Sequence, residues 1–275
     1  MTSGGSGAAR SGTRLWLEAL ATAIARQGRT EWFGSPPHLA RLRGPRAQGF
    51  QIFPRDFRPA HADAGLQLAH GVFAFAGENI AVGEGGEPWN RPSPSRAFAE
   101  ALHGFEWLRD LCVLGPEGSR EALRLVEEWR RLFGRWSSFA WGGEVLDRRV
   151  VNLACALGPV VAIASAAEVE MLAELMARQA RQLLIARDPA WRITERTAAA
   201  ALAGSAIAGR AGEALLIRAL PRLERLIPRT VLADGGHVSR SPEAGLELLF
   251  DLLALDDGLE QRGVQTPEPV LAAID

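Results

Sequence analysis

Apolar residues recur at spacings of three and four from residue 93 onward, in segments of about 15–20 residues separated by short breaks with glycine or proline. This spacing gathers the apolar side chains on one face of a helix, so it predicts a series of amphipathic helices. Proline near the start and glycine just past the end of a segment are the usual start and stop signals of helices. The predicted helices cover residues 94–113, 117–133, 144–163, 167–187, 190–209, 212–227 and 242–257, with Pro94, Pro116, Pro189 and Pro242 at starts and Gly115, Gly134 and Gly209 past ends.

Consecutive helices of this kind pack as antiparallel pairs, because each apolar face must be buried against a neighbour. Such pairs form either a helical solenoid or a closed ring of helical hairpins. Successive pairs in this chain are not alike in sequence, which disfavours a regular solenoid. We therefore predict an all-α fold over residues 93–275, either an α/α toroid or an irregular bundle.

The first 92 residues follow a different pattern. Residues 1–13 are rich in glycine and serine, which predicts a disordered tail. Residues 14–92 are predicted to form a wrapping segment that begins with a short helix over Leu15–Ala25. The stretch 34–59 is rich in proline, glycine and arginine, so we expect it to run extended over a surface.

Two short segments add to this picture. In GVFAFAGENIAVG the apolar residues alternate around Gly77–Glu78–Asn79, which predicts one small β-hairpin near residues 72–82. The final residues, TPEPVLAAID, are typical of the first turns of a helix that starts at Pro267 and Glu268. We expect the chain to continue beyond Asp275 in a longer protein.

Composition excludes several classes of function. Charged residues nearly cancel at a net charge of −1, which argues against a nucleic-acid partner. No apolar run is long enough for a membrane span, and the N-terminal stretch lacks the apolar region of a signal peptide, which predicts a cytoplasmic protein. All 31 cationic residues are arginine, so Schiff-base chemistry by lysine is excluded. We predict no cofactor and no metal site, because the five histidines are scattered: His38, His61, His70, His103 and His237.

The strongest candidate site lies in LADGGHVSRSPEAGLELLFDLL, residues 232–253. His237 and Arg240 lie in a glycine-rich loop that leads into a helix whose start is set by Ser241 and Pro242. A helix N-terminus beside an arginine and a histidine suits an anion such as a sugar carboxylate. Alternatively, Ser241 only caps the helix while His237 and Arg240 hold the loop in place.

A second cluster lies in WNRPSPSRAFAEALHGFEWL, residues 89–108. Aromatic faces with a few polar groups suit stacking against sugar rings, which makes Trp89, Asn90 and His103 candidate substrate-binding residues. Trp89 and Asn90 lie on a predicted loop and are the better candidates for an exposed role. Trp107, at helical spacing, is more typical of core.

A third cluster brings Trp141 close to Arg149 and Asn152. Arg149 and Asn152 are three residues apart, so they share one helical face and together offer several donors to a carboxylate. The alternative is structural: Arg149 pairs with Glu144 or Asp147, and Asn152 satisfies a buried backbone group.

These stretches together resemble the heparinase II/III-like family in its N-terminal helical region. The segments that carry the resemblance are ADGGHVSRSPEAGLELLFDLL, WNRPSPSRAFAEALHGFEWLRDL and RRVVNLACAL, and it extends over roughly residues 40–275. The resemblance implies an incomplete α/α toroid that precedes a C-terminal β-sandwich domain. It also implies a polysaccharide lyase that acts on uronate-containing chains, with an anionic polysaccharide as partner and with His237 and Arg240 as catalytic residues. Many members of the family are exported, so the resemblance gives a periplasmic location as the alternative to the cytoplasm.

Lyases of this family cleave by β-elimination, which needs a group that neutralises the uronate carboxylate, a base and an acid. The family loop resembles DG-x-H-x-E-R-S-P-x-Y-H, whereas this chain has Ser239, Ala244 and Gly245 at the glutamate, tyrosine and final histidine. The chain contains no tyrosine. An asparagine–histidine pair of the family is also replaced, by Trp191 and Arg192. Our leading hypothesis is a substrate-binding lyase domain, and the alternative is a non-catalytic carbohydrate-binding or protein-interaction scaffold.

Overall fold

The structure is a computed structural model, and it describes residues 32–33, 35–185 and 192–275. The predicted tail over residues 1–13, the predicted helix Leu15–Ala25 and the predicted helix start at Pro189 lie outside the described residues. Long helices joined by short loops make up most of the described chain, and its helices have the following bounds: α1 Pro36–Arg41, α2 Ala62–Ala69, α3 Arg96–His103, α4 Leu108–Cys112, α5 Pro116–Phe133, α6 Gly143–Cys155, α7 Leu157–Ile163, α8 Ala166–Ile185, α9 Ile193–Ala206, α10 Gly209–Thr230, α11 Pro242–Arg262 and α12 Glu268–Ile274.

A single small hairpin interrupts the helices in the described part of the chain. Strand β1 (Val72–Phe75) pairs antiparallel with β2 (Glu78–Ala81), and Phe75 lies opposite Glu78. The turn is therefore Ala76–Gly77, with φ of 52° and 79°, and not Gly77–Glu78–Asn79 as the sequence suggested. Two adjacent residues with positive φ match the right-handed twist of a hairpin. The predicted fold class, an all-α toroid with one β-hairpin, is confirmed.

The predicted helix over residues 94–113 is in fact two helices. The chain turns between α3 and α4, where Phe105 adopts a φ of 62° and the indole N–H of Trp107 donates to the carbonyl of Leu102 at 3.0 Å. Both aromatic rings are completely buried. The break lets these two large rings enter the core together, which a straight helix would not allow.

Three further helix boundaries also differ from the prediction. The predicted helix over residues 144–163 divides at Ala156, which ends α6 and begins α7. Gly115, predicted just past a helix end, is the N-cap of α5 with a φ of 83°, and Gly209 begins α10 with a φ of 64°.

Helix α9 is the centre of the core. Every residue from Thr194 to Ala206 is buried, and the helix contacts α6, α8, α10 and α11. A helix that is apolar on all sides is one surrounded by protein. Its run of alanines brings the neighbouring helices close, which leaves its few polar residues, among them Glu195, inside the structure.

An extended arm over residues 43–61 crosses the outside of this core. Its backbone pairs with the end of α9, since Gln51 N–H donates to the Ala206 carbonyl at 2.9 Å and Ala208 N–H donates to the Gly49 carbonyl at 3.0 Å. Further along, Arg55 N–H donates to the Asp257 carboxylate on α11 at 2.8 Å. The arm thus delivers Asp56 and Arg58 to the inner side chains of α11. Among the described residues, no helix is long and apolar enough to cross a bilayer.

Candidate functional sites: a charged network and a terminal groove

A network of ion pairs joins the arm to α4, α6, α11 and the start of α9. We call it the charged network, and its members are Asp56, Arg58, Arg109, Asp147, Arg148, Arg192, Glu247 and Asp251. At its centre Asp251 of α11 accepts hydrogen bonds from both Arg58 of the arm and Arg148 of α6. The side chain of Asp251 is 1% exposed. One buried carboxylate therefore holds two guanidinium groups that come from distant parts of the sequence.

The network continues in two directions. On one side Asp56 contacts Arg58 at 3.4 Å and Arg109 at 3.6 Å. On the other side Asp147 accepts a hydrogen bond from Arg192 Nε at 2.9 Å and from the backbone N–H of Arg148 at 2.7 Å. Asp147 is completely buried, and this desolvation raises its pKa to about 6 although Arg192 and Arg148 oppose the rise.

The network balances four guanidinium groups with four carboxylates. Burial alone would lower the pKa of Arg148, but the nearby Asp251 and Asp147 outweigh it and raise that pKa above its ordinary value. Such a neutralised set gives an anionic ligand little net attraction. Its evident effect is to fasten the arm, α4, α6, the start of α9 and α11 together.

The predicted catalytic residues lie in a tight loop over residues 231–241, here called the His237 loop. Val231 and His237 form an isolated bridge, and Val238 N–H donates to the Thr230 carbonyl at 2.7 Å. Gly235 takes a φ of 76°, a conformation that glycine adopts easily. Ser241 then caps α11, because its hydroxyl accepts from the Ala244 N–H at 3.2 Å.

His237 is turned into the protein. It is 4% exposed, and its Nδ1 contacts both the Ser239 hydroxyl at 2.6 Å and the Ser239 N–H at 3.1 Å. A backbone N–H is always a donor, so Nδ1 is the acceptor and the proton of the neutral ring lies on Nε2. That nitrogen faces Glu195 of α9 at 3.5 Å. Both ring nitrogens are thus directed at groups of the same chain.

Arg240, unlike His237, is directed to solvent. Its side chain is 64% exposed, it has a φ of 58°, and it donates to the Asp234 carboxylate at 2.6 Å. This hydrogen bond is the main reason that the pKa of Asp234 lies below its ordinary value. The pair closes the loop at the surface and leaves the guanidinium accessible.

Arg240 and His237 both line a groove of about 1110 Å³ between α10, the His237 loop, α11 and α12. We call it the terminal groove. Most of its wall is apolar, with contributions from Ile227, Val231, Leu246, Leu249, Ala273 and Ile274. A concave apolar surface with a few polar groups at one side is the usual form of a binding site.

Of the predicted substrate-binding residues, Trp89 does not have the exposed position that its loop suggested. It is 6% exposed, because its ring packs against His103, Phe105 and Trp107 at centroid distances of 5.6–6.3 Å. Asn90 is exposed, and its amide donates to the Glu87 carboxylate at 2.6 Å. The two neighbours therefore face different environments.

His103 lies in the same aromatic cluster. It is buried, and its Nδ1 accepts a hydrogen bond from the indole N–H of Trp129 at 3.1 Å. Burial, and secondarily the charge of Arg149, lowers its pKa to about 4. The ring is therefore neutral at physiological pH and serves as an internal acceptor.

Arg149 is completely buried and satisfies backbone carbonyls. It donates to the carbonyls of His103 at 2.9 Å and Ala140 at 2.6 Å, and to the Gln179 side chain at 3.2 Å. Its guanidinium lies 4.1 Å from the centre of the Trp129 ring. Burial lowers its pKa to about 9. The expected pairing of Arg149 with Glu144 or Asp147 does not occur as a hydrogen bond between described side chains.

Trp141 and Asn152 are also internal. The Trp141 indole donates to the Phe133 carbonyl at 2.8 Å. The Asn152 amide donates to the Gly104 carbonyl at 2.8 Å and accepts from Arg109 at 2.8 Å. Asn152 thus satisfies a buried backbone group, as the structural alternative predicted.

The charged network was not predicted from the sequence, although one signal was present. Asp251 interrupts the apolar run LELLFDLL, and a carboxylate at an apolar position in a helix requires a buried partner. Its partners Arg58 and Arg148 are 193 and 103 residues away along the chain. Nothing in the local pattern identifies them.

Comparison with known proteins gives one close relative in sequence. No model of a known protein family matches the chain. The chain is 48% identical over 262 residues to FtsZ-localized protein C from Caulobacter vibrioides strain NA1000 / CB15N. The match covers 95% of this chain and 45% of that protein, so the chain spans less than half the length of its relative.

Comparison of structures gives a heparan sulfate lyase and a heparinase III as neighbours. The heparan sulfate lyase HepC from Pedobacter heparinus superimposes with a TM-score of 0.63 over 94% of this chain and 44% of the lyase, at 14% sequence identity. A heparinase III superimposes with a TM-score of 0.54 over 78% of this chain and 38% of the enzyme, at 16% identity. At this level of identity the likeness establishes a shared fold, the helical toroid.

Proposed function

We propose that this chain is a non-catalytic binding domain built on a lyase-type toroid, and that it localises with FtsZ. The observation that carries this proposal is that Arg149 and Asn152 donate to backbone carbonyls of the protein itself, while His237 is buried with its Nδ1 bonded to Ser239. These are the side chains from which β-elimination would need free donors or a free base. Their present contacts stabilise the fold instead.

The remaining requirements of β-elimination are not met by this chain either. It has no tyrosine to act as acid or base. The described cations of the charged network already face carboxylates, so they are poorly suited to neutralise a uronate. Arg240 is accessible, but one exposed arginine binds an anion without catalysing its cleavage.

The relation to FtsZ-localized protein C supports the second half of the proposal. Identity of 48% extends over nearly the whole chain, well above the 14% shared with the lyase. We therefore propose that the property in that protein's name, localisation with FtsZ, extends to this chain.

Localisation and binding can be measured separately. The full-length protein, tagged with a fluorophore in its own cell, is expected to co-localise with FtsZ and to lose that position when FtsZ is depleted. The purified protein is expected to sediment with polymerised FtsZ. His237→Ala is the control variant. If the domain binds without catalysis, removing this predicted catalytic side chain should leave localisation unchanged. A distribution that ignores FtsZ depletion would reject the proposal.

A second candidate function is binding of an anionic polysaccharide, with or without cleavage. The toroid shared with heparan sulfate lyase HepC supports it, and Arg240 beside the helix start at Ser241 offers an anion contact. Any cleavage would depend on groups outside this chain, which we propose to lie in a C-terminal β-sandwich domain.

This candidate has its own test. Heparan sulfate, alginate and chondroitin sulfate would be immobilised and probed with the full-length protein and with Arg240→Ala. Binding that weakens in the variant supports polysaccharide recognition. Unsaturated uronate ends released from any of the three polymers would overturn the non-catalytic proposal.

A further inference from the structure

Helix α10 exposes an isoleucine on its outer face. Ile217 is 75% exposed, more than any other large apolar side chain in the part of the chain that the structure describes. Pro221, one turn further along, is exposed on the same side of the helix. A single exposed apolar residue is common on protein surfaces, so the argument for a contact depends on the charges around it.

Two oppositely charged residues lie at equal distances from Ile217. Arg210 is seven residues before it and Glu224 is seven residues after it, which is about 10 Å in each direction at a rise of 1.5 Å per residue. Seven residues are almost two full turns, so these three side chains fall within a sector of about 40°. We call Arg210, Ile217, Pro221 and Glu224 the α10 face.

Neither charge of the α10 face is used within the protein. Arg210 and Glu224 are both exposed, and neither pairs with another side chain among the described residues. They do not reach each other, because about 21 Å of helix separates them. The cation and the anion therefore both remain available to groups outside the chain.

We propose that the α10 face binds a second copy of this chain in a symmetric dimer with antiparallel α10 helices. A two-fold axis at Ile217 sets this residue against its equivalent in the other copy. The same axis brings Arg210 of each copy level with Glu224 of the other, because the two residues are equally far from Ile217. The interface then has an apolar centre and one ion pair at each end. The inference goes beyond the proposed function and does not depend on it.

The charges favour this orientation and this partner. In a parallel dimer Arg210 would face Arg210 and Glu224 would face Glu224, and like charges repel. An anionic membrane or polysaccharide would meet Glu224 as well as Arg210, so it would be repelled at one end of the face. The exposed Arg218 and Arg225 lie about 80–100° from Ile217 around the helix, at the flank of the face, where they stay in solvent.

The small size of the contact predicts a weak dimer. The face is one helix wide, and interfaces that bury less than about 1,200 Å² belong to weak complexes. The terminal groove stays open in this arrangement, because Ile227 and Pro228, which line it, lie beyond Glu224 along the helix. The dimer presents two such grooves, so a partner with repeated binding sites would be held at two points.

Sedimentation velocity of the full-length protein at low salt, over a series of concentrations, tests the proposal. The wild type is expected to change from monomer to dimer as its concentration rises. Ile217→Asp, Arg210→Glu and Glu224→Arg should each weaken dimerisation at least about tenfold, because they bury a charge at the centre or oppose like charges at both ends. The control is Arg229→Glu, since this exposed arginine of α10 lies about 120° from Ile217. It should leave the dimer unchanged.

The decisive measurement mixes Arg210→Glu with Glu224→Arg. In a heterodimer of these two variants each end again joins a cation to an anion, so the mixture should dimerise although each variant alone does not. The double variant Arg210→Glu/Glu224→Arg should also dimerise. Circular dichroism verifies that each variant keeps its helix content.

Three results would overturn the inference. One is a wild type that stays monomeric up to about 1 mM. Another is a dimer that survives both Ile217→Asp and Arg210→Glu, which would place the contact elsewhere. The third is a mixture of Arg210→Glu and Glu224→Arg that stays monomeric, because the two residues would then not meet between copies.

Discussion

Arg192 and Asp147 meet at 2.9 Å between the guanidinium Nε and the carboxylate Oδ2, and this contact ties the start of α9 to α6. The contact is notable because burial still dominates the carboxyl group: its pKa lies near 6 despite the adjacent cation. The stability of the folded protein should therefore depend on pH through this completely buried carboxyl group.

The first prediction concerns that dependence. A carboxyl group whose pKa is higher in the folded protein, about 6, than its ordinary 3.8 favours folding at low pH, and the contribution is lost as pH rises through 6. Relative to Asp147→Asn, the free energy of unfolding of the wild type should fall by about 2 kcal/mol between pH 4 and pH 7. Urea unfolding across this range measures it, and parallel curves for the two proteins would contradict it.

The second prediction concerns His103, where the sign is reversed. A histidine whose pKa is lowered from 6.5 to about 4 on folding stabilises the protein above pH 6.5 and loses that contribution as pH falls toward 4. His103→Asn keeps an acceptor for the Trp129 indole but does not titrate. The wild type should lose about 3 kcal/mol relative to this variant between pH 7 and pH 4. An unchanged difference over that range would mean that the ring is solvated.

The third prediction concerns the centre of the charged network. Asp251→Asn removes the negative charge that Arg58 and Arg148 share, and leaving buried cations uncompensated should cost about 3–5 kcal/mol. Glu247→Gln is the matched control, because Glu247 is 42% exposed and lies 3.9 Å from Arg148. It should change stability by less than about 0.5 kcal/mol. Equal effects in urea unfolding would show that the network is weaker than its geometry implies.

The fourth prediction separates the two roles considered for the His237 loop. Ser241→Ala removes the N-cap of α11 and should lower the free energy of unfolding by about 1 kcal/mol. Arg240→Ala removes only an exposed pair with Asp234, so its stability should stay close to that of the wild type. A large loss in the arginine variant would assign Arg240 to holding the loop, as the structural alternative proposed.

Features that depend on local sequence could be predicted. The helical series, the hairpin between residues 72 and 82, the cap at Ser241 and the last helix from Glu268 all follow from periodicity and from residues at helix ends. These signals span only a few residues. Helix breaks caused by packing, such as the one at Phe105, were missed because they depend on what the ring contacts.

The roles of the polar residues were decided by the tertiary structure. Arg149 has the sequence context of a ligand-binding side chain, yet it is enclosed by Trp129 and two backbone carbonyls. Asp251 interrupts an apolar run, yet nothing near it in the sequence shows that its partner is Arg58, 193 residues away. The period of a helix is local and can be read along the chain, whereas the burial of a charged group depends on which distant segment covers it. The sequence by itself therefore determined the series of paired helices, and only the folded chain decided which charges remain available to a partner.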